Sequence, residues 1–290
     1  MEIIITEDCS FKSEFEPIKD KIAEYFSKLS NLSTLKKVII TDHDFNNYSK
    51  AVKELSRDID KNAYVSEDGG AVAISGISTT DRIFNQYIFI RGDIFYAFLL
   101  YLCLDTKVDD NLNLRELAYS IVLHEIGYCR YSEILYTKYN YVGSNKKVYN
   151  LSLDNELDEY IYYECVTLTS EYYAECFMNG ICNESKNDYT REILNIINDN
   201  YFDNRVNSIG KIYRLIYYFM LYISYYHTNS IKLSFYEDIC NLRIGKILKK
   251  LEDEMIIFYD KFNAGDFNVN NIIAIFREIY NIKYSPYDKI

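Results

Sequence analysis

The chain has 290 residues, of which 49% are hydrophobic, so it carries enough apolar side chains to fold around a core. Acidic residues outnumber basic ones by 43 to 32, the formal net charge is -11, and Lys and Arg form no block along the sequence. This charge would repel a phosphate backbone, so nucleic acid is excluded as an expected partner, and a protein or peptide fits the charge better.

The cysteines and the first residues predict a cytoplasmic protein. The 7 cysteines include no C-x-x-C pair and are odd in number, which favours reduced thiols. Residues 1–8 carry Glu2, Glu7 and Asp8 and no basic segment followed by an apolar one, so we expect no signal peptide. The most hydrophobic stretch, residues 215–226, is shorter than the roughly 20 apolar residues that span a bilayer. We therefore expect no association with a membrane.

Hydrophobic periodicity predicts a mixture of helices and strands in the first third of the chain. Apolar residues at helical spacing indicate helices around residues 18–29 and 51–59. Runs of β-branched and aromatic residues predict strands at 38–41, 71–75 and 87–91. The predicted order is helix, strand, helix, strand, strand.

The rest of the chain is predicted to be helical. Helices are expected over residues 93–104, 113–131 and 154–179, and mostly helices follow from residue 190 to the end. A small sheet together with many helices is typical of the α+β class.

One of these helices contains an altered metal-binding motif. Residues 124–128 match H-E-x-x-H at every position except the last, where Tyr128 replaces the second histidine. In the full motif, two histidines four residues apart share a zinc ion on one face of a helix, and the glutamate activates the metal-bound water. His124 and Glu125 are the two positions of this motif that the chain keeps.

A second acidic motif lies in the long helix predicted at 154–179, where residues 171–175 read E-x-x-A-E. Glu164, Glu171 and Glu175 share one face of this helix with apolar residues, which is costly unless other groups satisfy the carboxylates. Together, the two motifs resemble the gluzincin branch of zinc metallopeptidases, in which H-E-x-G-H is followed by a helix bearing E-x-x-A-D.

The resemblance covers roughly residues 38–180 and implies a zincin-like domain over residues 1–185, followed by a helical region over 186–290. It implies that zinc is the cofactor, that His124 and Glu171 are zinc ligands and that Glu125 is the general base. It also implies that Glu175 supports a histidine ligand without binding the metal itself. The strand at 87–91 would be the edge strand along which a substrate peptide lies.

Tyr128 leaves the predicted zinc site one histidine short. A tyrosine can ligate as a phenolate, although its unperturbed pKa is about 10 and its oxygen lies further from the backbone than an imidazole nitrogen. His43 and His227 are the other histidines that could complete the site. Without a role at the site, His43 would lie in a polar turn, and His227 would be a capping or partly buried residue.

Three functional hypotheses remain open. The first is a metal-dependent endopeptidase in which His124 and Glu171, with Tyr128 or a distant group, hold zinc. The second is a catalytically inactive pseudopeptidase that binds or regulates a protein partner. The third is a helical interaction protein whose match to the motif is accidental, with His124 a core histidine on an ordinary amphipathic helix.

Overall fold

The computed structural model describes residues 1–66, 69–102, 112–139, 156–182, 189–198, 205–229, 239, 241–266 and 268–281. The chain divides into two compact units, Met1–Asn145 and Lys146–Ile290. The architecture is α+β, as the sequence predicts, with a small mixed sheet of four strands and mostly helical content.

The first unit contains the sheet and the helices that cover it. Its described strands are β1 (Glu2–Ile5), β2 (Leu35–Thr41), β3 (Ala71–Ile77) and β4 (Phe84–Arg91). Its described helices are α1 (Lys12–Phe15), which continues through a 3-10 turn at Glu16–Ile18, α2 (Lys19–Ser30), α3 (Phe45–Leu55), α4 (Gly92–Leu102) and α5 (Leu112–Tyr139).

The strand order in the sheet is β1-β2-β4-β3. β1, β2 and β4 run parallel, and β3 pairs with β4 in the antiparallel direction. The expectation that the strand at 87–91 lies at an edge is therefore wrong, because β4 lies between two strands and β3 is at the edge. The apolar residues from Tyr87 to Ile90 are buried on both faces of the sheet, as is typical of a central strand.

Helices cover both faces of this sheet. On one face, Tyr48 and Val52 of α3 pack against Ile39, Tyr87 and Phe89. Since side chains alternate along a strand, Ile88 and Ile90 point to the opposite face, where α4 and α5 pack. α5 contacts both β3 and β4, so the helix that bears the altered motif lies against the edge of the sheet.

The second unit, as far as the structure describes it, consists of helices. They are α6 (Glu156–Asn179), α7 (Thr190–Asn198), α8 (Arg205–Asn229), α9 (Arg243–Ala264) and α10 (Asn270–Tyr280). α6 belongs with the C-terminal helices, because it packs against α8 and α10, whereas the family resemblance implies a boundary at 185/186. None of the described helices is long and apolar enough to cross a membrane.

Candidate functional site

The sheet-facing side of α5 fixes the orientation of the altered motif. Val122, Ile126 and Cys129 are fully buried at spacings of four and three residues, so they form one face of the helix. The backbone carbonyl of Cys129 accepts a hydrogen bond of 2.8 Å from the side-chain Nε2 of Gln86 in β4. This contact ties the middle of α5 to the central strand.

Glu125 is bonded to the edge strand. Its Oε2 accepts a hydrogen bond of 2.6 Å from the backbone N–H of Ala73 in β3. In the pairing of β3 with β4, the N–H of Arg91 donates to the carbonyl of Gly70, which lies opposite it. Along an antiparallel pair of strands, every second residue bonds to the partner strand in this way, and the residues between them point their backbone groups away from it. The backbone groups of residues 71, 73, 75 and 77 therefore point away from β4, toward the outer edge of the described sheet. Glu125 thus accepts a hydrogen bond from a backbone N–H that points outward from the edge of the sheet.

Tyr48 is a neighbour of Glu125 that the sequence did not indicate. Its side chain is fully buried, and its hydroxyl has no hydrogen-bond partner among the described residues. Burial raises the pKa of Tyr48, the charge of Glu125 raises it further, and Arg91 opposes the increase. The charge of the Glu125 carboxylate therefore acts on a neutral, buried phenol.

His124 and Tyr128 contact each other on α5. Their ring centroids are 4.8 Å apart and their planes meet at 82°, an edge-to-face arrangement that is favourable for aromatic rings. Both side chains are half-buried. The tyrosine that replaces the second histidine of the motif therefore packs on the first one.

Glu171 and Glu175 lie in the second unit, on α6. Both are half-buried and close to Tyr217 of α8. Burial raises the pKa of Tyr217, and the charges of the two glutamates raise it further. The charges of both glutamates of the second motif therefore act on the neutral phenol of Tyr217.

The residues of each unit were tested against the zinc site that the family resemblance implies. A catalytic zinc site uses three protein ligands and keeps a position for water. Of the ligands that the motifs imply, the first unit holds His124 and Tyr128, and the second holds Glu171. Among the described residues, no group of three or more His, Cys, Asp or Glu side chains is arranged to hold a metal ion. The ligand set of either unit by itself does not fit zinc.

His43, one of the two replacement ligands considered, lies in a hydrogen-bonded turn after β2. Its Nδ1 lies 2.9 Å from Asp42 Oδ1 and 3.0 Å from Ser10 Oγ. Although burial raises the pKa of Asp42, hydrogen bonds from the Asn47 side chain, the His43 N–H and Ser10 lower it to about 2. Asp42 is thus a buried carboxylate that holds this turn together.

His227, the other replacement considered, lies in the second unit near the end of α8. Its Nδ1 and the hydroxyl of Tyr172 share a hydrogen bond of 2.6 Å, and the two rings stack. Burial lowers the pKa of His227, while the charges of Asp260 and Glu252 act in the opposite direction. His227 is therefore hydrogen-bonded to Tyr172, the residue that follows Glu171 in the sequence.

Glu164 is the best buried of the acidic residues that share a face of α6. Its exposed fraction is 7%, and Tyr280 of α10 donates a hydrogen bond to its Oε2. Burial raises the pKa of Glu164, while hydrogen bonds from Tyr160 and Tyr280 act in the opposite direction. Tyrosine hydroxyls, rather than a metal, satisfy this carboxylate.

We expect Glu164→Gln to stabilise the protein increasingly as the pH rises. Because the folded-state pKa of Glu164 is raised, its favourable contribution is complete below its ordinary pKa and is lost as the pH rises through the folded-state value. The glutamine stays neutral, so the difference in urea midpoint between the variant and the wild type should grow from pH 4 to pH 8. Glu24→Gln is the control with the opposite expected sign, because Lys28 lowers the pKa of Glu24. A Glu164→Gln difference that is constant with pH would contradict the raised pKa.

Comparison with known proteins identifies no relative. No family model matches the chain, and the searches of curated proteins and of solved structures find no match either. The case for a function therefore rests on the residues described above.

Proposed function

We propose that the chain is a zincin-like pseudopeptidase that uses the edge of its sheet to bind an extended segment of a protein. The observation that carries this proposal is the hydrogen bond between Glu125 and the N–H of Ala73. This bond concerns the loss of catalysis, since Glu125 is the expected general base. It also concerns binding at the sheet edge, since Ala73 lies in the edge strand.

The hydrogen bond supports a structural role for Glu125. A general base must offer its oxygen to the proton that it removes. Here one carboxylate oxygen already accepts a backbone N–H at 2.6 Å. Charge-assisted hydrogen bonds of this kind are among the stronger ones in proteins. The contact also covers one unpaired donor of an edge strand, which protects such an edge from unwanted pairing.

The ligand set supports the same proposal. Tyr128 stands where the motif has its second histidine, and its ring packs on His124. A tyrosine in place of this histidine is a poorer zinc ligand at neutral pH, which supports a site without a metal-bound water for Glu125 to activate.

The outer edge of β3, to which no other described strand is paired, offers the surface for binding beside Glu125. Residues 71, 73, 75 and 77 direct their backbone groups outward, so an extended peptide can add to the sheet as a further strand. A peptide carbonyl that pairs with Ala73 would displace Glu125 from its N–H. The net charge of -11 favours a basic segment as the ligand.

Metal content and hydrolysis test the catalytic half of the proposal. We expect much less than one zinc per chain by elemental analysis, both in the wild type and in His124→Ala. We also expect the wild type and Glu125→Gln to be alike in the hydrolysis of a fluorogenic casein substrate. About one zinc per chain that His124→Ala removes, with hydrolysis that Glu125→Gln abolishes, would instead establish a metallopeptidase.

Selection of peptides tests the binding half. Peptides selected from a random display library on the full chain should slow hydrogen exchange of the outward amides in Ala71–Ile77. Selected peptides that bind without changing exchange in this strand would place the binding surface elsewhere and refute the proposal.

A further inference from the structure

A cluster of cations lies at the end of α3 and in the turn that follows it. Lys53, Arg57 and Lys61, named here the basic patch, line an open depression of about 680 Å³ together with Glu54. All four side chains are exposed. The three cations are spaced by four residues, so the sequence shows no block of charge, and only the helix and its turn bring them together.

The cations of the basic patch form no ion pair with any described residue. Glu54 lies in the depression itself, and the two acidic residues of the following turn have other partners. Asp58 accepts a hydrogen bond of 2.6 Å from the hydroxyl of Tyr87, and Asp60 accepts one of 2.9 Å from the N–H of Asn62. The depression therefore holds three cations against one carboxylate and has a net positive charge.

The turn holds Lys61 in place beside the helix. Ser56 is fully buried, and its hydroxyl donates to the carbonyl of Val52 at 2.6 Å. The N–H groups of Ile59 and Asp60 both donate to the carbonyl of Ser56 at 2.8 Å. The helix dipole favours cations at the last turn of α3, which accounts for Lys53 but not for Lys61 beyond it. A fixed turn keeps the like charges together at an electrostatic cost.

We propose that the basic patch binds an oligophosphate group. A ligand with several negative charges offsets the mutual repulsion of the three cations. The planar guanidinium of Arg57 can make paired hydrogen bonds to phosphate oxygens, and the two lysines add charge on either side. A free oligophosphate and the phosphate chain of a nucleotide offer the same chemistry. The site is independent of the edge of β3 and of the function proposed above.

Titration calorimetry of the full chain with inorganic tripolyphosphate at low salt tests this proposal. We expect Arg57→Gln and Lys61→Gln each to weaken binding about tenfold, the effect of losing roughly one charge-assisted hydrogen bond. Glu54→Gln should tighten binding several-fold, because it removes the one carboxylate that lines the depression. The control is Lys28→Gln, an exposed lysine of the same unit that is already paired with Glu24 at 2.5 Å.

The outcomes are distinct. No saturable binding, an equal loss of affinity in Lys28→Gln, or no gain in Glu54→Gln would overturn the proposal. Equal affinity for citrate would overturn the assignment to phosphate. ATP binding tighter than tripolyphosphate, with the same dependence on Arg57, would support the proposal and identify a nucleotide as the source of the phosphate chain.

Discussion

Gly245→Ala is expected to unfold the second unit or to destabilise it by more than about 3 kcal/mol, the range of severe overpacking. Gly245 is buried in the first turn of α9, and an added Cβ would lie well under 3.0 Å from the backbone carbonyl of Ile239. Real Cβ atoms do not approach backbone atoms so closely. Because the obstacle is backbone, it cannot rotate away as a side chain would, and α9 or the segment at Ile239 must move.

Gly210→Ala is the matched control. Gly210 lies inside α8 of the same unit, and an added Cβ meets no atom within 4 Å. Since alanine favours the helix over glycine by about 1 kcal/mol, this variant should be slightly more stable than the wild type. Urea unfolding followed by circular dichroism measures both variants. Wild-type stability of Gly245→Ala would mean that α9 does not begin against Ile239 as described.

The sequence predicts the elements of the fold better than their arrangement. The strand at 38–41 lies within β2, and the helix around 51–59 overlaps the second half of α3, because β-branched runs and helical periodicity are local properties of the chain. β1 was not predicted, because four residues are too few to establish a period. The order of strands depends on pairing between distant segments, and for that reason the edge was assigned to β4 in place of β3.

The candidate site shows the same limit. The periodicity around the motif correctly predicts that His124, Glu125 and Tyr128 share a helix, α5. It does not predict that Glu125 is bonded to Ala73, which lies 52 residues earlier in the chain. One signal was available in the sequence, since Glu125 and Glu133 flank Cys129 at spacings of four on the face that packs on the sheet. Acidic residues on such a face indicate specific partners.

Glu133→Ala is expected to destabilise the first unit by about 2 to 3 kcal/mol, the range for hydrogen bonds to a charged group. Its Oε1 accepts hydrogen bonds from the N–H and the hydroxyl of Ser33 at 3.0 and 2.7 Å and from the N–H of Thr34 at 3.1 Å. These contacts connect α5 to the segment that enters β2. Alanine leaves the backbone donor of Thr34, a buried residue, without its acceptor.

Glu133→Gln separates the hydrogen bonds from the charge. Its amide oxygen still accepts from Ser33 and Thr34, so we expect it to retain more than half of the stability that Glu133→Ala loses, as measured by urea unfolding. Glu125→Ala, which removes the hydrogen bond from the Ala73 N–H, should cost less than Glu133→Ala, which removes hydrogen bonds from both Ser33 and Thr34. The reverse order would mean that the contact at Ala73 does more than Glu133 to hold α5 against the sheet. Release of that contact by a peptide at β3 would then also loosen the helix that carries His124 and Tyr128.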